Sequence, residues 1–69
     1  MPSSVIRTWT YDAAARRLTI TFVSGDVYAY RFVPPMEAQG LKSARSKGRF
    51  FAERIRDRFA FERVHIAVP

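Results

Sequence analysis

The chain contains no cysteine, which excludes a disulfide framework and any thiolate-ligated metal centre. Histidine occurs once, as His65, so a multi-histidine metal site is excluded as well. A single histidine this near the end of a chain is more often incidental than catalytic. There are only three glycines; none completes the GxxxxGK[ST] phosphate loop, and there is no strand–turn–helix nucleophile motif. The carboxylates are scattered and suggest no acid–base pair. The expectation is a non-catalytic protein with no metal and no cofactor. Long apolar runs are also missing, since every uninterrupted stretch falls far short of the roughly 20 residues needed to span a bilayer. The first residues, MPSSVIRTWTYD, lack the basic and apolar succession of a signal peptide. A cytoplasmic protein without membrane association is therefore expected.

What is present is enough for one fold. The 69 residues make a single domain, with a core expected over about 4–63. A chain of that size buries only about 60% of its unfolded surface, so each large side chain matters. Ten aromatics, six of them phenylalanine, and a hydrophobic fraction of 48% set it apart from disordered sequences.

Three segments alternate with period two. Residues 5–11 set Trp9 and Tyr11 against Thr8 and Thr10. Residues 17–23 set Leu18, Ile20 and Phe22 against Thr19 and Thr21. Residues 27–33 set Tyr28, Tyr30 and Phe32 against Ala29 and Arg31. Such alternation of aromatic and β-branched residues predicts half-buried strands. The Ser24-Gly25-Asp26 sequence marks a hairpin. A two-residue loop would set the bulky residues of the two strands on opposite faces. A three-residue loop with a bulge places Leu18, Ile20 and Phe22 on the same face as Tyr28, Tyr30 and Phe32, so the second register is expected.

Pro34-Pro35 ends the third strand and opens a short helix, about 35–43, which Gly40 weakens. Ser46 is the expected N-cap of a second helix over about 47–58, with Phe51, Ile55 and Phe59 as its buried stripe. A short edge strand is expected around 63–67. The fold class is α+β: a small three- to four-stranded antiparallel sheet with two helices packed on one face.

Charge is distributed unevenly. Residues 42–63 hold eight of the twelve basic side chains against three acids, a net of +5, whereas residues 1–41 carry only +1 of the total of +6. Excess of this kind points to a polyanion, most plausibly nucleic acid. On a helical projection Lys47, Arg54 and Arg58 flank the Phe51/Ile55 stripe and suit a phosphate backbone, while Arg49 and Arg56 lie beside Glu53 and Asp57. The alternative is that these are solvated charges that pair along the helix. Ser46, Lys47, Gly48 and Arg49 form a helix start with the parts of an anion site; the alternative is an ordinary serine cap, the commoner use of serine there. Tyr28 and Tyr30 are candidates for stacking bases. The expected register instead makes them core rings whose hydroxyls reach the rim.

In order and spacing these elements resemble the KTSC domain, a short module named after the C-terminus of certain lysyl-tRNA synthetases and also found as a free-standing bacterial protein. The likeness is carried by Ser4-x-Ile6, Tyr11-Asp12, Leu18-x-Ile20-x-Phe22, Ser24-Gly25, Tyr28-Ala29-Tyr30 and Val33-Pro34. It continues through Ser46-Lys47-Gly48-x-Phe50-Phe51, Ile55-Arg56 and Phe59-x-Phe61-Glu62. The synthetase context of that family implies contact with RNA. Ala52 stands where the motif commonly has asparagine, and Phe59 and Phe61 replace its usual tyrosines, which removes any ligand contact those groups make elsewhere in the family. The leading expectation is a nucleic-acid-binding module, for RNA rather than duplex DNA, using Lys47, Arg49, Arg54, Arg58, Tyr28 and Tyr30. The competing one is a protein-interaction or self-association domain, a homodimer included. A third is a small enzyme or ligand-binder at the Ser46–Arg49 helix start.

Overall fold

The computed structural model describes residues 6–65. Four strands and two helices follow in the order β1 (Ile6–Asp12), β2 (Arg17–Phe22), β3 (Val27–Tyr30), α1 (Pro35–Ser43), α2 (Lys47–Arg54) and β4 (Phe61–His65). The strands form one antiparallel sheet in the order β1-β2-β3-β4, an α+β architecture as expected.

Local chemistry accounts for each turn. Asp12 Oδ1 accepts from the Ala14 and Ala15 amides at 3.1 and 3.2 Å and so folds the β1–β2 connection back on itself. The β2–β3 hairpin has the bulged three-residue loop. The Gly25 amide donates to the Phe22 carbonyl and the Phe22 amide to the Asp26 carbonyl, both at 2.9 Å. Gly25 adopts φ 98°, a conformation that a side chain would strain. The resulting pairs, Leu18 with Tyr30 and Ile20 with Tyr28, put the large residues on one face. Trp9 and Tyr11 pair with Ile20 and Leu18 and share it. The threonine pairs Thr8–Thr21 and Thr10–Thr19 occupy the other face.

Two helices cover the apolar face. Leu18, Ile20, Tyr30, Val33, Leu41, Phe51 and Ile55 form the buried core, and Ile6, Trp9, Tyr11, Phe22, Tyr28, Phe50 and Phe59 pack against it. Tyr11 Oη donates to the Val33 carbonyl at 2.6 Å, fastening the end of β1 to the segment before α1. Gly40 is what allows α1 and α2 to approach. A Cβ there would lie 2.6 Å from the tip of the Phe50 ring.

Three expectations about boundaries and one about a side chain are corrected. Strand β3 stops at Tyr30 rather than residue 33. Phe32 takes φ 58°, and this one left-handed residue shifts the alternation by one. Val33 enters the core with no exposure, while Phe32, expected on the apolar face, is 75% exposed. Helix α2 ends at Arg54 rather than 58. The Phe51 carbonyl accepts from both Ile55 and Arg56, at 3.0 and 2.9 Å, which widens the last turn. Ile55 stays buried and Phe59 packs on the core, so the stripe survives the change of backbone. The edge strand begins at Phe61 rather than 63, because the Arg31 amide already captures the Ala60 carbonyl at 2.8 Å and brings the chain alongside β3. The part of the expected strand at 66–67, like Val5 of the first, lies outside the described residues.

Both outer strands are bulged. Arg7 is the extra residue between the Ile6–Phe22 and Thr8–Thr21 pairs, and Val64 the extra one between the Val27–His65 and Tyr28–Arg63 pairs. Such kinks interrupt the flat hydrogen-bonding edge that another strand would need.

Phe32 combines strained backbone with an exposed ring, so Phe32→Gly should raise stability by about 0.5–1 kcal/mol. That figure is the relief of left-handed strain less the extra chain entropy of glycine. Urea unfolding of the two proteins checks this.

Tyr30 is 2% exposed, and burial pushes its phenol up to about 12, with Tyr28 and Asp57 adding to the shift and Arg56 opposing it. The unfolded chain releases this proton near pH 10, so the folded state holds more protons between pH 10 and 12. Stability should therefore fall through that window by on the order of 1 kcal/mol per pH unit. Comparing wild type with Tyr30→Phe, in which that component is absent, isolates it.

Candidate nucleic-acid interface

The helix start at Ser46–Arg49 forms as expected, and its groups are engaged internally. Ser46 Oγ accepts from the Arg49 amide at 3.3 Å, the bond of an N-cap. Lys47 Nζ turns back to donate to the carbonyls of Lys42 and Ala44, at 3.3 and 3.2 Å, and so closes the end of α1. Gly48 is buried. Arg49 Nε bonds to Glu53 Oε2 at 3.1 Å. The recess here is lined by Ser46, Arg49, Ala52 and Glu53, so a carboxylate stands beside the candidate anion site.

The other expected cations are dispersed. Arg54 lies 3.5 Å from Glu37 Oε1 on α1 and over the Phe50 ring at 5.6 Å. Arg58 lies beyond the end of α2, in the 55–58 turn, so the helical projection that grouped it with Lys47 and Arg54 does not extend to it. The ion pairs Arg31–Glu62, Arg49–Glu53 and Arg56–Asp57 join surface side chains. Pairs of this kind are worth roughly 0–1 kcal/mol and are readily exchanged.

Tyr28 and Tyr30 lead to a different place. They lie under the covered face, as the register required, with Tyr30 in the core and Tyr28 half-buried. Together with Phe22, Phe51 and Phe61 they wall a cleft of about 460 Å³, whose remaining lining is Ser24, Asp26, Arg56 and Asp57. The five rings hold one another in place. Phe22 meets Tyr28 and Phe51 edge-on, each with centroids 5.5 Å apart. Tyr30 meets Phe51 edge-on at 5.3 Å. Phe61 lies parallel to Tyr28 at 5.2 Å, within 6°. The Arg63 guanidinium sits over the Tyr28 ring at 5.8 Å, a cation–π contact.

Three distant segments build this cleft: the β2–β3 hairpin, the end of α2 with its following turn, and β4. The sequence reading named the two tyrosines but missed Phe22, Phe51 and Phe61 as wall residues and Arg56 and Arg63 as neighbouring cations. The available signal was the pairing of β4 with β3, which sets Phe61 opposite Tyr30 and Arg63 opposite Tyr28. A smaller recess lies between β1 and α1, lined by Trp9, Tyr11, Pro35, Ala38, Gln39 and Lys42. Among the described residues no cluster of three potential metal ligands occurs, and no helix is long and apolar enough to cross a membrane.

Comparison with known proteins places this geometry. The chain is 43% identical over 61 residues to a lysine–tRNA ligase of Nostoc punctiforme; the match covers 88% of the chain but only 11% of that enzyme. It is 41% identical over 51 residues to an uncharacterised protein of Stutzerimonas stutzeri, covering 74% of the chain and 72% of that protein. The crystal structure of a KTSC domain protein from Yersinia pestis superposes with a TM-score of 0.87 at 37% identity, over 94% of this chain and 92% of that one. The family model of the KTSC domain matches residues 2–59, and the chain belongs to the KTSC domain family.

Proposed function

We propose that the domain is a non-catalytic module that binds single-stranded RNA. The observation that carries this reading is the cleft walled by five aromatic rings, with Arg56 in its lining and Arg63 over Tyr28. Single-strand binders combine aromatic surfaces, on which bases stack, with cations that follow the backbone. Here both occur at one end of the molecule. RNA rather than DNA is supported by the likeness to a segment of lysine–tRNA ligases, whose named substrate is a tRNA.

In this reading Arg58 and Arg63 contact phosphates near the cleft, and Arg56 stands in its lining. Arg49 can exchange its surface carboxylate for phosphate, whereas Arg54 is held by Glu37, whose side chain is only 14% exposed, and contributes less. Lys47 contributes less, because the α1 carbonyls hold its ammonium. Tyr28 and Phe61 offer stacking surface, and Tyr30 supports them from within the core.

A second reading, association with a protein or with another copy, rests on Phe32 and Met36, which are 75% and 79% exposed within five residues of each other. Sedimentation separates the two: a stable dimer that dissociates in Phe32→Gly would favour the second.

A salt titration of binding to a short unstructured RNA tests the leading reading. Log K should fall against log salt with a slope of about 0.7 per phosphate contact. Arg58→Gln and Arg63→Gln should each lower the slope by about that amount and weaken binding to all sequences alike. Affinity that is independent of salt, or absent at low salt, contradicts it.

A further inference from the structure

The cleft has a chemistry of its own, beyond the attraction of a basic protein for RNA. Its walls are the rings of Phe22, Tyr28, Tyr30, Phe51 and Phe61, and its volume of about 460 Å³ lies in the range of small-molecule sites. Its polar lining mixes signs. Arg56 and Asp57 stand side by side, 3.9 Å apart and with side chains 54% and 84% exposed, and Ser24 Oγ donates to Asp26 Oδ2 at 3.2 Å.

Two carboxylates in the lining disfavour a phosphate inside. Five rings disfavour a small, strongly hydrated ion. A flat, neutral heterocycle with N–H groups on its edge satisfies both: it stacks on or against the rings, and the carboxylate accepts its N–H groups. The long Arg56–Asp57 separation and the exposure of both side chains mean that little is lost when either turns to a ligand.

We propose that this cleft is a nucleobase site that receives one unstacked base and favours guanine over uracil. The proposal rests on the single-strand reading and adds a base identity to it. Guanine presents two adjacent donors, N1–H and the 2-amino group, which a carboxylate accepts as a pair, and acceptors at O6 and N7, which suit a guanidinium. Asp57 and Arg56 supply those partners. Uracil presents a single N–H between two carbonyls, so one carbonyl always faces the carboxylate. Adenine and cytosine, each with one amino group, should fall between. The sugar and its phosphates remain outside, where Arg63 can reach them.

The experiment uses the full chain, the four nucleoside 5′-monophosphates, and short RNA oligomers of one base each, observed through the ring proton resonances of the cleft. GMP should perturb Phe22, Tyr28 and Phe61 and bind tightest, and UMP weakest. Phe61→Ala, which removes a half-exposed ring, should weaken oligo-G binding by about 5- to 150-fold, the range for loss of one base-stacking contact. Because that variant can also perturb the core, Asp57→Asn provides the second arm. Its side chain is on the surface, so the fold should be retained while the GMP-to-UMP preference falls towards unity.

Oligomers that bind with the expected salt slope but leave the cleft rings and the Asp57→Asn variant unaffected would overturn the base site and leave the RNA reading standing. GMP bound in the cleft without any oligomer binding would keep the site, assign it to a free mononucleotide, and overturn the RNA reading. Equal binding of all four bases, or a preference for uracil, would overturn the assignment to Asp57 and Arg56.

Discussion

The structure depends first on the register of one hairpin. Gly25, at φ 98°, closes a three-residue loop in which the Phe22 and Asp26 backbones pair. With that loop, Leu18, Ile20 and Phe22 share a face with Tyr28 and Tyr30, and the opposite face is left to threonine. A loop one residue shorter would put half of these rings into water, since side chains alternate strictly along a strand. The core, the docking of both helices and the aromatic cleft all follow from this choice. Glycine at position 25 meets the left-handed turn of this loop without the strain a side chain would bring.

The second constraint is size. With an eight-residue α2 and a nine-residue α1, the helical layer covers the centre of the sheet and not its ends. Leu18, Ile20, Val33, Leu41 and Ile55 are fully enclosed, while Phe22, Tyr28 and Phe61 keep exposed edges. The cleft is the uncovered margin of the core, and the same contacts that stabilise the fold shape it. Phe51 shows this double role most clearly, meeting Phe22 and Tyr30 edge-on from the helix side. Contacts of this kind add roughly 0.5–1.5 kcal/mol each beyond the area they bury, so the rings that line the cleft also help to hold the core together.

Features set by local chemistry were legible in the sequence. The period-two strands, the bulged hairpin, the Pro35 helix start and the Ser46 cap depend on residues within a few positions of one another. Departures arose where distant parts of the chain decide. Phe32 alternates correctly with Tyr30 on paper, but the Val33 amide bonds to the Arg16 carbonyl at 2.9 Å, and that cross-connection turns Phe32 outward. Helix periodicity continues past Arg54 through Ile55 to Phe59, but the chain must leave the helix to lay Phe61 beside Tyr30. The charges show the same limit. A helical wheel placed Lys47, Arg54 and Arg58 in a row without showing that α1 carbonyls take the first, Glu37 takes the second, and the helix ends before the third. For the cleft, the sequence offered two tyrosines and an edge strand, but not the register that sets Phe61 beside Tyr30 or the turn that brings Arg56 and Asp57 to the rings.

The family resemblance in the residues held for the fold. The proposed binding belongs to the aromatic end of the covered face, where Arg56 and Arg63 adjoin the rings, and not to the threonine face of the same sheet. The most direct measurement is a residue-by-residue chemical-shift map of the isotopically labelled protein titrated with single-stranded RNA. Perturbations concentrated at Phe22, Tyr28, Arg56, Phe61 and Arg63, with Thr8, Thr10, Thr19 and Thr21 unmoved, are predicted. Perturbations centred on the threonines, or none at any ratio of RNA to protein, would contradict it.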